Sequence, residues 1–266
     1  MKNIPYFKRL CLFGASFYFL FFSSAFAQPL HIAVAANFAV PMRIIAQNFE
    51  QKSTHTVMIS SGSTGKFYAQ IKNGAPFDLF FSADDETVAK LENENATVPG
   101  SRFTYAIGTL VLWSPKEGYV DSGGEILKKP SWRHLSIASP KLAPYGKAAK
   151  ETLEKLGLWE LLQKRMVQGE NVAQAFQFVS TGNAELGFVA LSQIYRDGVI
   201  EHGSAWIVPD TYHSPIRQDA AILSRAKDNV AAAEFMAYIR SEEAKSIILS
   251  FGYAIGQDTD KTATER

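Results

Sequence analysis

Short apolar runs alternate with helix-period patterns along nearly the whole chain, and this rhythm restricts the fold more than any single motif does. His31 to Ala35 reads as a strand, and Phe38 to Lys52 as a helix with Ile44, Ile45 and Phe49 on one face. Thr56 to Ile59 is a second strand, followed by a helix from Thr64 to Asn73 that stops at Gly74. Asp78 to Phe81 is a buried-type strand, and Asp84 to Glu94 is again helical in pattern. Strand–helix–strand repetition of this kind specifies an α/β protein with mainly parallel sheets flanked by helices.

The rhythm breaks once. Tyr105 to Trp113 is one long apolar run interrupted by Gly108, and a fresh series follows. It comprises strand Leu135–Ala138, helices Lys147–Leu156 and Leu158–Lys164, and strand Met166–Val167. Helix Val172–Val179 and strands Leu186–Ala190 and Ala205–Val208 complete it. After Pro215 come strand Asp219–Leu223 and two helical patterns, Val230–Ile239 and Ser241–Phe251. Two α/β series joined by a crossing and a return predict two lobes, 28–107 with 216–266 and 108–215, hinged near Gly108 and Ser214. Two tandem domains would need a linker rich in Pro, Gly or Ser, and none separates the halves.

The beginning of the chain has a different character. Lys2, Lys8 and Arg9 precede an almost uncharged run from Leu10 to Phe22, and Ala25-Phe26-Ala27 has the small-x-small form of a cleavage site. Residues 1–27 therefore read as a signal peptide, and the run is short for a membrane span with no charged segment after it. Cleavage would remove the single cysteine, Cys11, and leave 239 of 266 residues without any thiol. A chain exported this way would stand on its core rather than on disulfides. The expected location is the periplasm. With 27 basic against 26 acidic residues, the formal net charge of +1 gives no reason to expect nucleic acid or a membrane surface as partner.

Residues 59–67, ISSGSTGKF, resemble a nucleotide-binding loop but fail its test. Ser60 stands where the first glycine belongs, and Phe67 where the magnesium-binding Ser or Thr belongs. What survives is a short turn opening a helix, whose unpaired N–H groups and positive dipole end suit an anion. The same grammar recurs at Ala35-Ala36-Asn37-Phe38, at Ala143-Pro144-Tyr145-Gly146 and at Glu170-Asn171-Val172-Ala173. Two of the four turns fall in each series. If the lobes face one another, all four helix starts meet in one cleft, because loops at the carboxyl ends of strands collect ligands in such sheets. Each turn also has a plain reading: Asn37 and Thr64 are good N-caps, Tyr145 a packed aromatic, and Lys66 a solvated lysine.

At these residues the chain resembles the periplasmic molybdate-binding proteins of ABC transporters, from about Leu30 to Gln257. The matching stretches include AAN at 35–37, ISSGSTG at 59–65, AQIKNGAPFDLFFSAD at 69–84, APYG at 143–146, GENVAQA at 169–175 and ELGFVALSQI at 185–194. The resemblance implies a two-lobed type II periplasmic-binding-protein fold closing over one tetrahedral dianion, molybdate or tungstate. It implies Asn37 and Ala36, Thr64 and Ser63, Tyr145, and the N–H of Val172 as ligand-binding groups. Some relatives place a tyrosine later, where this chain has Ala190, so Tyr145 is expected to supply the phenol. No cofactor, no direct protein–metal ligand and no catalysis are implied. The expected partner is an ABC permease at the inner membrane that receives a monomer.

Two rivals make different demands. A hydrolase would need a nucleophile elbow, and no G-x-S-x-G occurs. His31, His55, His134, His202 and His213 form no zinc-binding spacing. A binding protein of the same fold for sulfate or phosphate remains the alternative. A protonated phosphate needs an acceptor, and Glu170 is the one carboxylate near the four turns.

Overall fold

A computed structural model describes residues 28–256. The signal-peptide reading, Cys11 and the polar tail from Gln257 lie outside the described residues. The first series runs β1 (Leu30–Ala35), a 3-10 turn (Ala36–Phe38) leading into α1 (Ala39–Lys52), β2 (Val57–Gly62) and α2 (Thr64–Lys72). It continues with β3 (Leu79–Phe81), α3 (Glu86–Asn93) and β4 (Phe103–Gly108). The second runs β5 (Leu110–Ser114), β6 (Leu135–Ala138), α4 (Pro144–Lys155), α5 (Trp159–Leu162), β7 (Met166–Gly169), α6 (Val172–Ser180) and β8 (Leu186–Ala190). A hairpin of β9 (Tyr195–Arg196) and β10 (Val199–Ile200) and then β11 (Ser204–Ile207) follow. The chain returns as β12 (Ile216–Ile222), α7 (Val230–Tyr238) and α8 (Glu242–Ser250).

Two five-stranded sheets result, ordered β2-β1-β3-β12-β4 and β11-β5-β8-β6-β7. Both are mixed rather than mainly parallel. In the first, β1 pairs in parallel with β2 and β3, whereas β12 runs antiparallel to β3 and β4. In the second, β6 is parallel to β7 and β8, whereas β5 is antiparallel to β8 and β11. The antiparallel pairs all involve the strands that cross between lobes. A chain that leaves along β4 and returns along β12 must traverse the sheet in opposite directions, and helical crossovers impose parallel pairing only elsewhere.

The apolar run from Tyr105 to Trp113 is thus two strands in two sheets, broken at Thr109. Gly108 ends the first. A Cβ there would lie 2.1 Å from Tyr145 Oη and 2.5 Å from Gln218 Nε2, so a side chain would collide with both.

Each sheet is buried on both faces, as its apolar strands require. Ile32, Val34, Leu79 and Phe81 point into a core with α1, α7 and α8, while Ala33 and Phe80 point into a second core with Phe67, Val88 and Leu91. In the other sheet Leu110, Leu112 and Phe188 face one side and Val111, Trp113 and Val189 the other. Phe81 stacks edge-on against both Tyr105 and Phe235, so truncating it to Ala costs about 3–5 kcal/mol. On α1, Ile45 and Phe49 are buried, but Ile44 is exposed, one step of about 100° off that face.

Strand ends govern what reaches the cleft. β2 extends three residues past Ile59 to Gly62, delivering Ser63 to the start of α2. α4 begins at Pro144, three residues ahead of Lys147, because proline needs no N–H partner in a first turn. The segment after α8 returns to β4, where Ile107 and Ala254 exchange backbone hydrogen bonds of 2.7 and 3.0 Å.

Candidate functional site: a neutral cavity between the lobes

Ala36, Asn37, Ser63, Thr64, Tyr145 and Val172 all line one cavity. Even with its mouth included, its empty space is about 200 Å³. That is below the roughly 300 Å³ at which sites for drug-sized ligands begin. Among the described residues none of its lining side chains is charged.

Four helix starts surround it. The 3-10 turn after β1 begins at Ala36 and α2 at Thr64; neither has a side-chain cap, although Ser63 occupies the N-cap position of α2. α4 begins at Pro144 behind the uncapped Ala143. Only α6 is capped: Asn171 Oδ1 accepts from Ala173 N and Gln174 N at 3.0 and 3.1 Å. That cap serves the second and third helical positions and leaves the first, Val172 N–H, facing the cavity without an intrahelical acceptor.

The hydroxyls point the same way. Ser63 is 2% exposed, and its Oγ has no hydrogen-bond partner. A buried hydroxyl left this way costs about 1–3 kcal/mol unless something fills the cavity beside it. Thr64 Oγ1 accepts from Ala83 N at 3.1 Å and lies 3.4 Å from Ser82 Oγ, so the Thr64 hydroxyl sits at the cavity wall already engaged on both sides. Tyr145 is equally buried, and Gln218 Nε2 donates to its oxygen at 3.3 Å, so the phenol proton has no acceptor among the described residues. Burial pushes the Tyr145 phenol well above its ordinary pKa, so it stays a donor. Ala190, by contrast, is buried in the second lobe's core.

Asn37 plays a different part from a simple amide donor. Its Nδ2 donates to Gln218 Oε1 at 2.8 Å and to Tyr253 Oη at 3.0 Å, which uses both amide hydrogens. Its backbone carbonyl accepts from Ser192 Oγ at 3.1 Å and lies 2.8 Å from Tyr253 Oη. Asn37 therefore braces the turn that presents the backbone N–H groups of residues 36–38. Sequence reasoning missed Gln218, Tyr253 and Ser192, which arrive from β12, from beyond α8 and from the turn after β8. No local motif marks them.

Charge lies at the rim. Lys66 pairs with Glu170 across the cleft, and Lys147 Nζ with Glu86 Oε1 at 2.8 Å. Glu170 thus faces a lysine rather than the cavity. Between these pairs Gly65 N donates to Leu142 O at 2.9 Å, and a Cβ on Gly65 would sit 3.2 Å from the Leu142 Cα. The lobes are closed against each other there. Behind the site Asp84, next to the lining residue Ala83, is tied to Thr87 N at 2.9 Å, Thr87 Oγ1 at 3.1 Å and Ser82 Oγ at 3.1 Å. Burial raises its pKa while those bonds oppose the shift.

Such an arrangement can give hydrogen bonds and accept almost none, and it can hold an ion too small to need side-chain pockets. Comparison with known proteins agrees with the geometry. Residues 30–254 match the family model for bacterial extracellular solute-binding proteins. The chain belongs to that family. It is 55% identical to the molybdate-binding protein ModA of Azotobacter vinelandii over 87% of this chain and 92% of that one. It is 45% identical to the molybdate-binding protein ModA of Rhodobacter capsulatus, over 83% and 86%. Among solved structures, the periplasmic molybdate-binding protein of Azotobacter vinelandii superposes with a TM-score of 0.83 at 44% identity. The match covers 86% of this chain and all of that one. The two-lobed solute-binding fold is therefore shared along the whole of that chain.

Proposed function

We propose that this chain is a periplasmic solute-binding protein that captures molybdate or tungstate and delivers it to an ABC importer. The observation that carries the reading is the neutral cavity, whose buried Ser63 hydroxyl, Tyr145 proton and Val172 N–H are unspent donors, with the Thr64 hydroxyl beside them. Each can form a charge-assisted bond to an oxyanion, roughly twice as strong as a neutral one. Neutral donors also avoid the desolvation cost of a buried cation. A fully deprotonated tetrahedral dianion satisfies every donor and demands no acceptor in return. The names of the relatives at 55% and 45% identity point to the same ligand.

The lobes are taken as 28–107 with 216–266 and 108–215, swinging about the two crossings, so that the closed state is the one a permease at the inner membrane receives. The protein acts by binding alone, without a cofactor and without catalysis, as a monomer exported by a cleaved leader.

A thermal-shift panel of molybdate, tungstate, sulfate, phosphate and chromate tests this. A ligand at a hundred times its dissociation constant adds about 2.7 kcal/mol of stability. Molybdate and tungstate are expected to give the large shifts. A shift with sulfate or phosphate and none with either metal oxyanion would replace the reading with that of another oxyanion carrier.

A further inference from the structure

We infer that Gln218 sets the direction in which Tyr145 offers its proton, and thereby makes the cavity prefer a fully deprotonated oxyanion over a protonated one of equal charge. The inference rests on the function proposed above and adds a positioning residue that does not itself line the cavity.

Gln218 is wholly buried on β12, at a register shift between Gln218 and Asp219. It lies behind both Asn37 and Tyr145, one from each lobe. Its Oε1 accepts from Asn37 Nδ2 at 2.8 Å and lies 3.1 Å from the Tyr105 hydroxyl. With the carbonyl end held by the Asn37 amide, the amide end faces Tyr145 Oη at 3.3 Å. An amide N–H can only donate. The phenol oxygen is therefore an acceptor on that side, and its single proton turns to the cavity. Gly108 makes the contact possible, since any side chain there would lie between the two groups.

Molybdate has oxygen acceptors on every side. Hydrogen phosphate, also a dianion at mildly alkaline pH, carries one proton that needs an acceptor. An inward O–H serves the first and opposes the second. Replacing the amide by a carboxylate reverses the polarity: both oxygens accept, the phenol proton turns back, and the phenol lone pairs face the cavity.

The test measures molybdate affinity calorimetrically at mildly alkaline pH, with phosphate competition, in the native protein, Q218E, Y145F and the double variant. Unfolding of each anion-free protein is followed in parallel. Both anions carry two charges, so repulsion from the new carboxylate cancels in the affinity ratio. Q218E is expected to lower the molybdate-to-phosphate ratio by more than about tenfold, and the double variant to keep the ratio of Y145F. A ratio within about twofold of the native one, or an equal drop in the Y145F background, overturns the inference. Should Q218E fail to fold, Q218M carries the test. It should cost about three- to tenfold in molybdate affinity with Tyr145 present and under about twofold with Phe in its place. Equal losses in the two backgrounds overturn the inference. A native protein that binds neither molybdate nor tungstate brings down the functional reading itself. Normal binding with an unmoved ratio brings down only the role of Gln218.

Discussion

The cavity and its rim belong to one interface between lobes, yet they are built from opposite materials. The rim spends full charges, Lys66 on Glu170 and Lys147 on Glu86, at positions where the side chains stay partly in water. The cavity holds none, and presents hydroxyl, phenol and backbone donors that are almost wholly buried. The difference follows from dielectric. A half-exposed ion pair is screened and contributes about 0–1 kcal/mol, whereas a fixed charge inside would be costly empty and hard to release when paired. On the proposed function, charge would guide closure from outside and dipoles would hold the ion within.

Placing a charge inside breaks the contrast most severely. Ser63→Asp puts a carboxylate against a bound dianion. At about 4 Å and an effective dielectric near 20, each unit charge is opposed by about 4 kcal/mol. Titration calorimetry should then show no molybdate binding in a protein that still unfolds cooperatively; retained binding would place the anion elsewhere.

Removing one donor or its brace is the next step down. Tyr145→Phe and Asn37→Ala should each weaken binding by about 1–3 kcal/mol in the same assay. The two act differently, since Tyr145 offers a proton whereas Asn37 holds the turn through Gln218 and Tyr253. Unchanged affinity in both would move the site.

The buried phenols behind and beside the cavity give it a pH signature of its own. Burial raises the pKa of Tyr105, Tyr145 and Tyr253 in the folded protein. Unfolded tyrosine ionises near pH 10, so above that value the unfolded state sheds protons that the folded state keeps. Stability is thus full below about pH 10 and falls as pH rises beyond it, by up to about 1.4 kcal/mol per pH unit for each phenol. Molybdate affinity, read on the protein that remains folded, should persist across that range. Loss of affinity near pH 10 with stability intact would mean that Tyr145 ionises normally.

The smallest effect belongs to the rim. Lys66→Met or Glu170→Gln should change affinity by less than about 1 kcal/mol, and less still at high salt. A larger loss would transfer binding energy from the neutral donors to the ion pairs.

Much of this was legible in the residues because the signals were local. A strand end, a small or hydroxyl residue and a helix start lie within about five positions; that grammar found the four turns, and the family resemblance picked out the six residues within them that line the cavity. The plain capping reading fails for Asn37 and Thr64, and Asn171 proves to be the cap that works. Non-local facts stayed hidden. Gln218, Tyr253 and Ser192 lie far along the chain from Asn37, and nothing in a linear pattern pairs them. The mixed sheets were missed because apolar runs report burial and not direction. The break at Thr109 was half visible, as a glycine within a run; the β9–β10 hairpin was missed, although Asp197-Gly198, both at positive φ, mark its turn.

A crystal structure of the protein grown with molybdate bears most directly on all of this. The account expects the molybdenum between the lobes, its oxygens within hydrogen-bonding distance of Ser63, Thr64, Tyr145 and the N–H of Val172, with every lysine and arginine head outside that shell. Molybdenum bound elsewhere, or seated against the ammonium of Lys66, would contradict it.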